Sequence, residues 1–149
     1  MAYVRLDKVG ADQHIESIVA SEDLKNGGFL ELGALQADGE ARLATPSGDT
    51  TKELVFHASV PLTYEDRTNE LDFTLKAGKV GRAYVVRTGN IASVSFDGVI
   101  GTPAKGAIVA PHADGFEVVE TAPEGLHGEI IAIDNDLYAG QLAVIRLTK

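Results

Sequence analysis

The chain has 149 residues, of which 44% are hydrophobic. That is enough for a domain-sized core without disulfides or metals and excludes a disordered composition. Acidic residues outnumber basic ones 22 to 13, a net charge of −9, so the surface repels phosphate backbones and argues against nucleic-acid binding. Cysteine is absent, which removes disulfide frameworks, thiolate metal sites and cysteine catalysis together.

In chain order, Met1 to Gly10 alternates charged and apolar residues and lacks the apolar stretch of a signal peptide. Tyr3-Val4-Arg5-Leu6 reads as an opening strand, or as part of an extended N-terminal arm over residues 1–20 that orders on a partner. Its mixture of apolar anchors and charges suits strand addition to a neighbouring sheet edge, which makes Tyr3, Val4, Arg5 and Leu6 the candidate partner-binding residues. If they form an arm, deleting residues 2–10 leaves the melting temperature within a few degrees. If they form a strand of the domain's own sheet, it does not. His14 to Val19 is read as extended. Ser21 to Gly27 carries a helix-start residue, early acids and a closing Asn-Gly, the signature of one helical turn or a wide turn. Phe29 to Leu32 is a strand, followed by Ala34-Leu35. Gln36 to Thr51 holds Asp38-Gly39, Pro46 and Ser47-Gly48 and reads as loop, with a brief strand at Leu43-Ala44.

Leu54 to Ala58 is the next strand. Thr63 to Asn69 is polar and reads as a loop with at most a short helix. Leu71, Phe73 and Leu75 alternate with polar residues, as a half-buried strand does. Gly78 to Gly81 is a turn and Ala83 to Arg87 a strand. From Gly89 to Val119 the chain reads as a β-meander. Ala92, Val94 and Phe96 alternate with Ser93, Ser95 and Asp97; turns follow at Asp97-Gly98, Gly101-Thr102-Pro103 and Ala113-Asp114-Gly115. Pro111 is expected to close the short run Ala107-Ile108-Val109, because proline cannot donate to a ladder. Glu129 to Ile133 and Gln141 to Leu147 are the last strands. The latter is apolar on both faces and is expected at a sheet centre. The pattern predicts an all-β fold: one compact sandwich or barrel over residues 1–149, with about 8–10 short strands and at most one or two short helices. Leu71, Phe73, Leu75, Val94, Phe96, Ile131 and Ile145 are its predicted core.

No constellation carries an obvious chemistry. His14, His57, His112 and His127 lack the close spacing of zinc ligands and are expected at surface or half-buried positions. Asp134-Asn135-Asp136 begins like a calcium loop, but Ala139 and Ile145 stand where glycine and glutamate are required. Gly101 to Gly106 lacks the Gly-Lys-Ser/Thr ending of a phosphate loop. Gly78-Lys79-Val80-Gly81 matches a bare GxxG without the flanking helices or basic face of an RNA-binding module. No Gly-x-Ser-x-Gly elbow occurs. Tyr and Phe together number nine and Trp is absent, few platforms for a carbohydrate site. The expectation is therefore no catalytic residue, no metal and no cofactor. The longest apolar runs are about five residues, against roughly 20 for a membrane helix, so no membrane association is expected.

The stretch GRAYVVRTGNIASVSFDGVIGTPAKGAIVAP, followed by HADGFEVV, resembles head decoration proteins, the capsid cement of tailed bacteriophages. The residues behind the resemblance are Val80-Gly81-Arg82, the turn Gly101 to Gly106, the hairpin Ala113-Asp114-Gly115 and the ending HGEIIAIDNDLYAGQLAVIRLTK. DLKNGGFLELGAL is similar to segments common in phage structural proteins. The resemblance implies a non-enzymatic virion protein on the capsid surface, made in the host cytoplasm, with the major capsid protein as partner. It also implies a homo-oligomer, a trimer above all, gaining avidity by multivalent attachment. The alternatives are another virion subunit, such as a tail tube or head–tail joining protein, or a small carbohydrate-binding or hydrolytic β domain with acids such as Glu70 and Asp72.

Overall fold

Short apolar runs broken by glycine cannot bury themselves; they must pair into sheets and stack. The computed structural model describes residues 3–8, 15–37, 39–59, 74–137 and 139–149. In chain order the strands are β1 (Val4–Lys8), β2 (Ile15–Val19), β3 (Leu24–Lys25), β4 (Phe29–Leu35), β5 (Arg42–Pro46), β6 (Leu54–His57), β7 (Thr74–Leu75), β8 (Gly81–Tyr84), β9 (Ile91–Ser95), β10 (Val99–Ile100), β11 (Ile108–His112), β12 (Gly115–Val119), β13 (His127–Asp136) and β14 (Gly140–Thr148). One 3-10 turn, Phe96–Gly98, follows β9. The fold is all-β.

Seven strands form one sheet in the order β1-β9-β14-β13-β11-β12-β10; five close a barrel, β2-β5-β4-β6-β8; β3 and β7 pair separately. Sandwich-like stacking and barrel closure thus occur together. Ile18, Leu30, Ala44, Val55 and Ala83 fill the barrel, joined by Leu24 and Leu75 from the β3–β7 pair. A second core lies between barrel and sheet. Phe29, Leu54, Phe56 and Val86 meet Val94, Val109, Phe116, Ile130 and Ile145 there. Phe29, Phe56 and Phe116 form its centre, with ring centroids 5.2, 5.2 and 5.8 Å apart.

Several expectations are corrected. Fourteen strands occur among the described residues, more than the expected 8–10, because two-residue strands such as β3, β7 and β10 are too short to show a period. Ser21 to Gly27 forms no helical turn: Leu24 and Lys25 pair with Leu75 and Thr74 instead. Within the expected loop from Gln36 to Thr51, the brief strand read at Leu43-Ala44 is present but extends to the full strand β5, paired with both β4 and β2. The strand expected over Ala83 to Arg87 is assigned earlier, as β8. Pro111 does not close its strand but sits inside β11 opposite Phe116. Proline is accommodated because alternate pairs of an antiparallel ladder exchange no hydrogen bonds, and β13 pairs with β11 only at Ile108 and Val109. His57 is fully buried, neither surface nor half-buried.

Of the predicted core, Leu75, Val94 and Ile145 are buried, while Phe96 is half-buried. Ile131 is also only half-buried. A register shift between Ile130 and Ala132 turns it away, and Ile130 occupies the core. Leu71 and Phe73, the polar stretch from Thr63 to Asn69, and Glu70 and Asp72 lie outside the described residues. As expected, β14 is central, between β13 and β9.

Candidate functional site

The N-terminal strand carries the densest set of charged contacts among the described residues. Alternation along β9 sends Ala92 and Val94 into the core and Ser93 and Ser95 to the opposite face. On that face β1 is fastened by side chains. The Tyr3 amide donates to Ser95 Oγ at 2.7 Å, and the Ser95 amide donates to the Tyr3 carbonyl at 2.9 Å. Ser95 Oγ donates in turn to Asp97. Arg5 pairs with Ser93 in the ladder, and its side chain reaches over β9 and β14 to β13. Its Nε donates to Asp7 Oδ1 at 2.7 Å; Nη2 donates to Asp134 Oδ2 at 2.9 Å and to Ser93 Oγ at 3.3 Å; Nη1 lies 3.6 Å from Asp136. Ser93 Oγ donates to Asp7 Oδ2. The hydrogen bonds to Asp134 and Asp7 raise the Arg5 pKa further above its ordinary value.

The structure therefore brings the four sequence-predicted partner residues into this chain's own sheet. Tyr3 and Arg5 are bonded to β9 and β13, and Val4 and Leu6 pack half-buried against the inter-sheet core. β1 is a terminal strand of the seven-stranded sheet, so its outer backbone edge is the side that faces away from β9. The chemistry of the cluster is that of a fastener: one cation satisfied by carboxylates and a hydroxyl, with no activated nucleophile.

A second polar assembly lies inside the barrel. His57 Nδ1 is 2.9 Å from the Lys25 carbonyl and Nε2 is 2.7 Å from Ser59 Oγ. A carbonyl only accepts, so Nδ1 carries the proton and Nε2 accepts from the serine. The Arg82 amide donates to the same hydroxyl at 3.0 Å. Asn26 closes the set, accepting from the Ser59 amide and donating to the Ser59 carbonyl, each at 2.9 Å. Burial lowers the His57 pKa, against the opposing effect of its bond to the Lys25 carbonyl.

A serine donating to a histidine has the outline of a nucleophile and base. Here the imidazole is fully buried and the hydroxyl is engaged twice. The network ties β3 to β6 and to the start of β8. Sequence reasoning missed it; the available signal was a histidine inside the otherwise apolar run Leu54 to Ala58. Among the described residues no three His, Asp or Glu side chains are placed to hold a metal ion.

No protein-family model matches this chain. A search of curated proteins likewise finds no match.

Proposed function

We propose that the protein is a structural component of a tailed-phage virion that binds the outer capsid surface and stabilises the head without catalysis. The major capsid protein is its partner, and it works as a homo-oligomer. The reading rests on the resemblance carried by residues 80–119, and one observation supports it most directly: those residues build consecutive tight turns on a β body. Gly101 and Gly106 hold positive φ at the two ends of a largely exposed loop, and Ala113-Asp114 is a two-residue hairpin joining β11 to β12. Short, well-fixed turns suit a protein that must persist on the outside of a particle, and such a role requires no reactive side chain.

The test is to add purified protein at saturating concentration to undecorated capsids and image them by cryo-electron microscopy. The expected result is additional density at regular lattice positions. Bare capsids would overturn the proposal. Spontaneous tubes or six-membered rings of the isolated protein would point instead to a tail-tube or head–tail joining subunit.

A further inference from the structure

The smallest sheet covers one end of the barrel. β3 and β7 pair over two residues each, Leu24 with Leu75 and Lys25 with Thr74, too little to stand alone. β3 lies between the last residue of β2 and the first of β4, and β7 leads into β8, so the pair sits where β2 and β6 stop and β4 and β8 begin. Its side chains Leu24 and Leu75 complete the apolar core of the barrel. Leu75 lies against Gly81, where an added Cβ would come 2.3 Å from its Cδ2. The polar ties run through His57 and Ser59. The Lys25 carbonyl is 2.9 Å from His57 Nδ1, the Gly27 amide donates to the His57 carbonyl at 2.9 Å, and Asn26 makes both of its bonds to the Ser59 backbone.

This latch works only with a neutral imidazole. Nδ1 donates to Lys25 and Nε2 accepts from Ser59 Oγ, while the Arg82 amide donates to the same hydroxyl. A protonated ring donates from both nitrogens. Ser59 Oγ would then accept twice, from Nε2 and from Arg82, and its own hydrogen would lose its acceptor. His57 is fully buried and Ser59 is 7% exposed, so a cation and an orphaned hydroxyl are both costly there. The charged groups around the ring do not offset this. Lys25 of β3 and Arg82 of β8 are cations with exposed side chains. On the lid, Asp23 and Lys76 pair with each other at 3.3 Å. Glu31 of β4 and Tyr84 of β8 alternate with the inward Leu30 and Ala83 and face away. Glu16 of β2 shares the inward face with His57, both opposite Ala83. Two strand spacings, about 9–10 Å, separate their backbones, and both ring nitrogens are taken by Lys25 and Ser59.

We propose that the β3–β7 pair is an acid-released lid: protonation of His57 unlatches it and opens this end of the barrel to water while the seven-stranded sheet stays folded. The sign follows from burial, which lowers the imidazole pKa in the closed state, whereas a hydrated ring in the open state titrates near 6.5. Below that pH the open state holds more protons. The opening constant therefore rises by up to about tenfold per pH unit until the closed-state pKa is reached. Asp23, the lid's own carboxylate, does not interfere: the Ala77 amide and Lys76 hold its pKa below the ordinary carboxylate value, so it stays ionised above about pH 4.5. The inference does not depend on the capsid reading.

Hydrogen exchange of the full chain, read by NMR as protection factors between about pH 7.5 and 4.5, tests it. The lid reporters are the amides of Gly27, Ser59 and Gly78, bonded to His57, Asn26 and Ala20. The sheet reporters are the amides of Ile130 and Leu147, bonded to Ala107 and Asn90. The lid amides should lose at least about tenfold in protection below pH 6.5 while the sheet amides keep theirs. In His57→Gln, which cannot titrate, the lid amides should show no such pH dependence. Lid amides that stay protected to pH 4.5 overturn the proposal, as do lid and sheet amides that lose protection together. A pH dependence that persists in folded His57→Gln overturns it too and assigns the opening to another group. If His57→Gln does not fold, the contrast between lid and sheet amides in the wild type decides.

Discussion

Phe29 and Phe116 meet edge to face across the joint between barrel and sheet, with ring centroids 5.2 Å apart and ring planes at 87°. One ring comes from β4 of the barrel and the other from β12 of the sheet. Both are fully buried, and the T-shaped geometry brings a positive ring edge onto a negative ring face. This contact, completed by Phe56, holds the two sheets in one arrangement.

Phe116→Ala should therefore cost about 3–5 kcal/mol, as truncations of buried aromatics do. Denaturant unfolding would read it as a fall in midpoint. A loss below about 1 kcal/mol would mean that the inter-sheet core does not bear on stability.

The buried histidine predicts a pH response. The unfolded chain's imidazole takes a proton near pH 6.5, whereas burial lowers the folded pKa of His57. Below about pH 6.5 the unfolded state therefore binds more protons. Stability contributed by neutral His57 is complete above that pH and is lost as pH falls toward the folded pKa, by at most about 1.4 kcal/mol per pH unit. In an NMR titration the His57 ring should keep its neutral form, protonated on Nδ1, below pH 6.5. Titration at the ordinary value would contradict the buried network with Lys25 and Ser59.

The elements legible in the sequence are those with local periodicity. Ala92 and Val94 alternating with serines gave away β9, and apolar residues on both faces from Leu142 to Leu147 marked β14 as central. Only Leu43-Ala44 of β5 was legible, because Arg42–Pro46 is short and flanked by turn formers, and its partners in β2 and β4 are recruited from outside the segment. The cluster around Arg5 leaves no sequence signal: Asp134 is 129 positions away, and only the strand order brings it near. His57 was misplaced because a histidine in an apolar run reads as polar until a carbonyl and a hydroxyl are seen to satisfy it.

Gly115 begins β12 at φ 149°, and an added Cβ would stand 2.2 Å from the Gly98 carbonyl oxygen. Backbone occupies that space, so no side-chain rotation relieves the clash. Gly115→Ala should destabilise the protein by more than about 1 kcal/mol, read as a lowered melting temperature. By contrast Gly106→Ala meets nothing within 4 Å and carries only the cost of its positive φ. Equal losses for the two variants would show that close packing of the hairpin on the 3-10 turn contributes nothing.

The N-terminal strand yields the sharpest separation. Removing residues 2–10 deletes the β1 ladder, the apolar contacts of Val4 and Leu6, and the bonds of Arg5 and Tyr3 to β9 and β13. β9 then becomes a raw sheet edge. Two half-buried aliphatic side chains and a strand pairing together amount to several kcal/mol, so the melting temperature should fall by roughly 10 °C for a chain of this size. This replaces the arm expectation of a shift within a few degrees. Arg5→Ala keeps the ladder and both aliphatics and removes only a guanidinium whose side chain is 36% exposed. Its loss should be about 1 kcal/mol, diminishing as salt is added. Both variants are measured by thermal unfolding at low and high salt. If the deletion leaves the melting temperature almost unchanged, β1 contributes little to the fold, and Tyr3 to Leu6 are available to a partner as an arm.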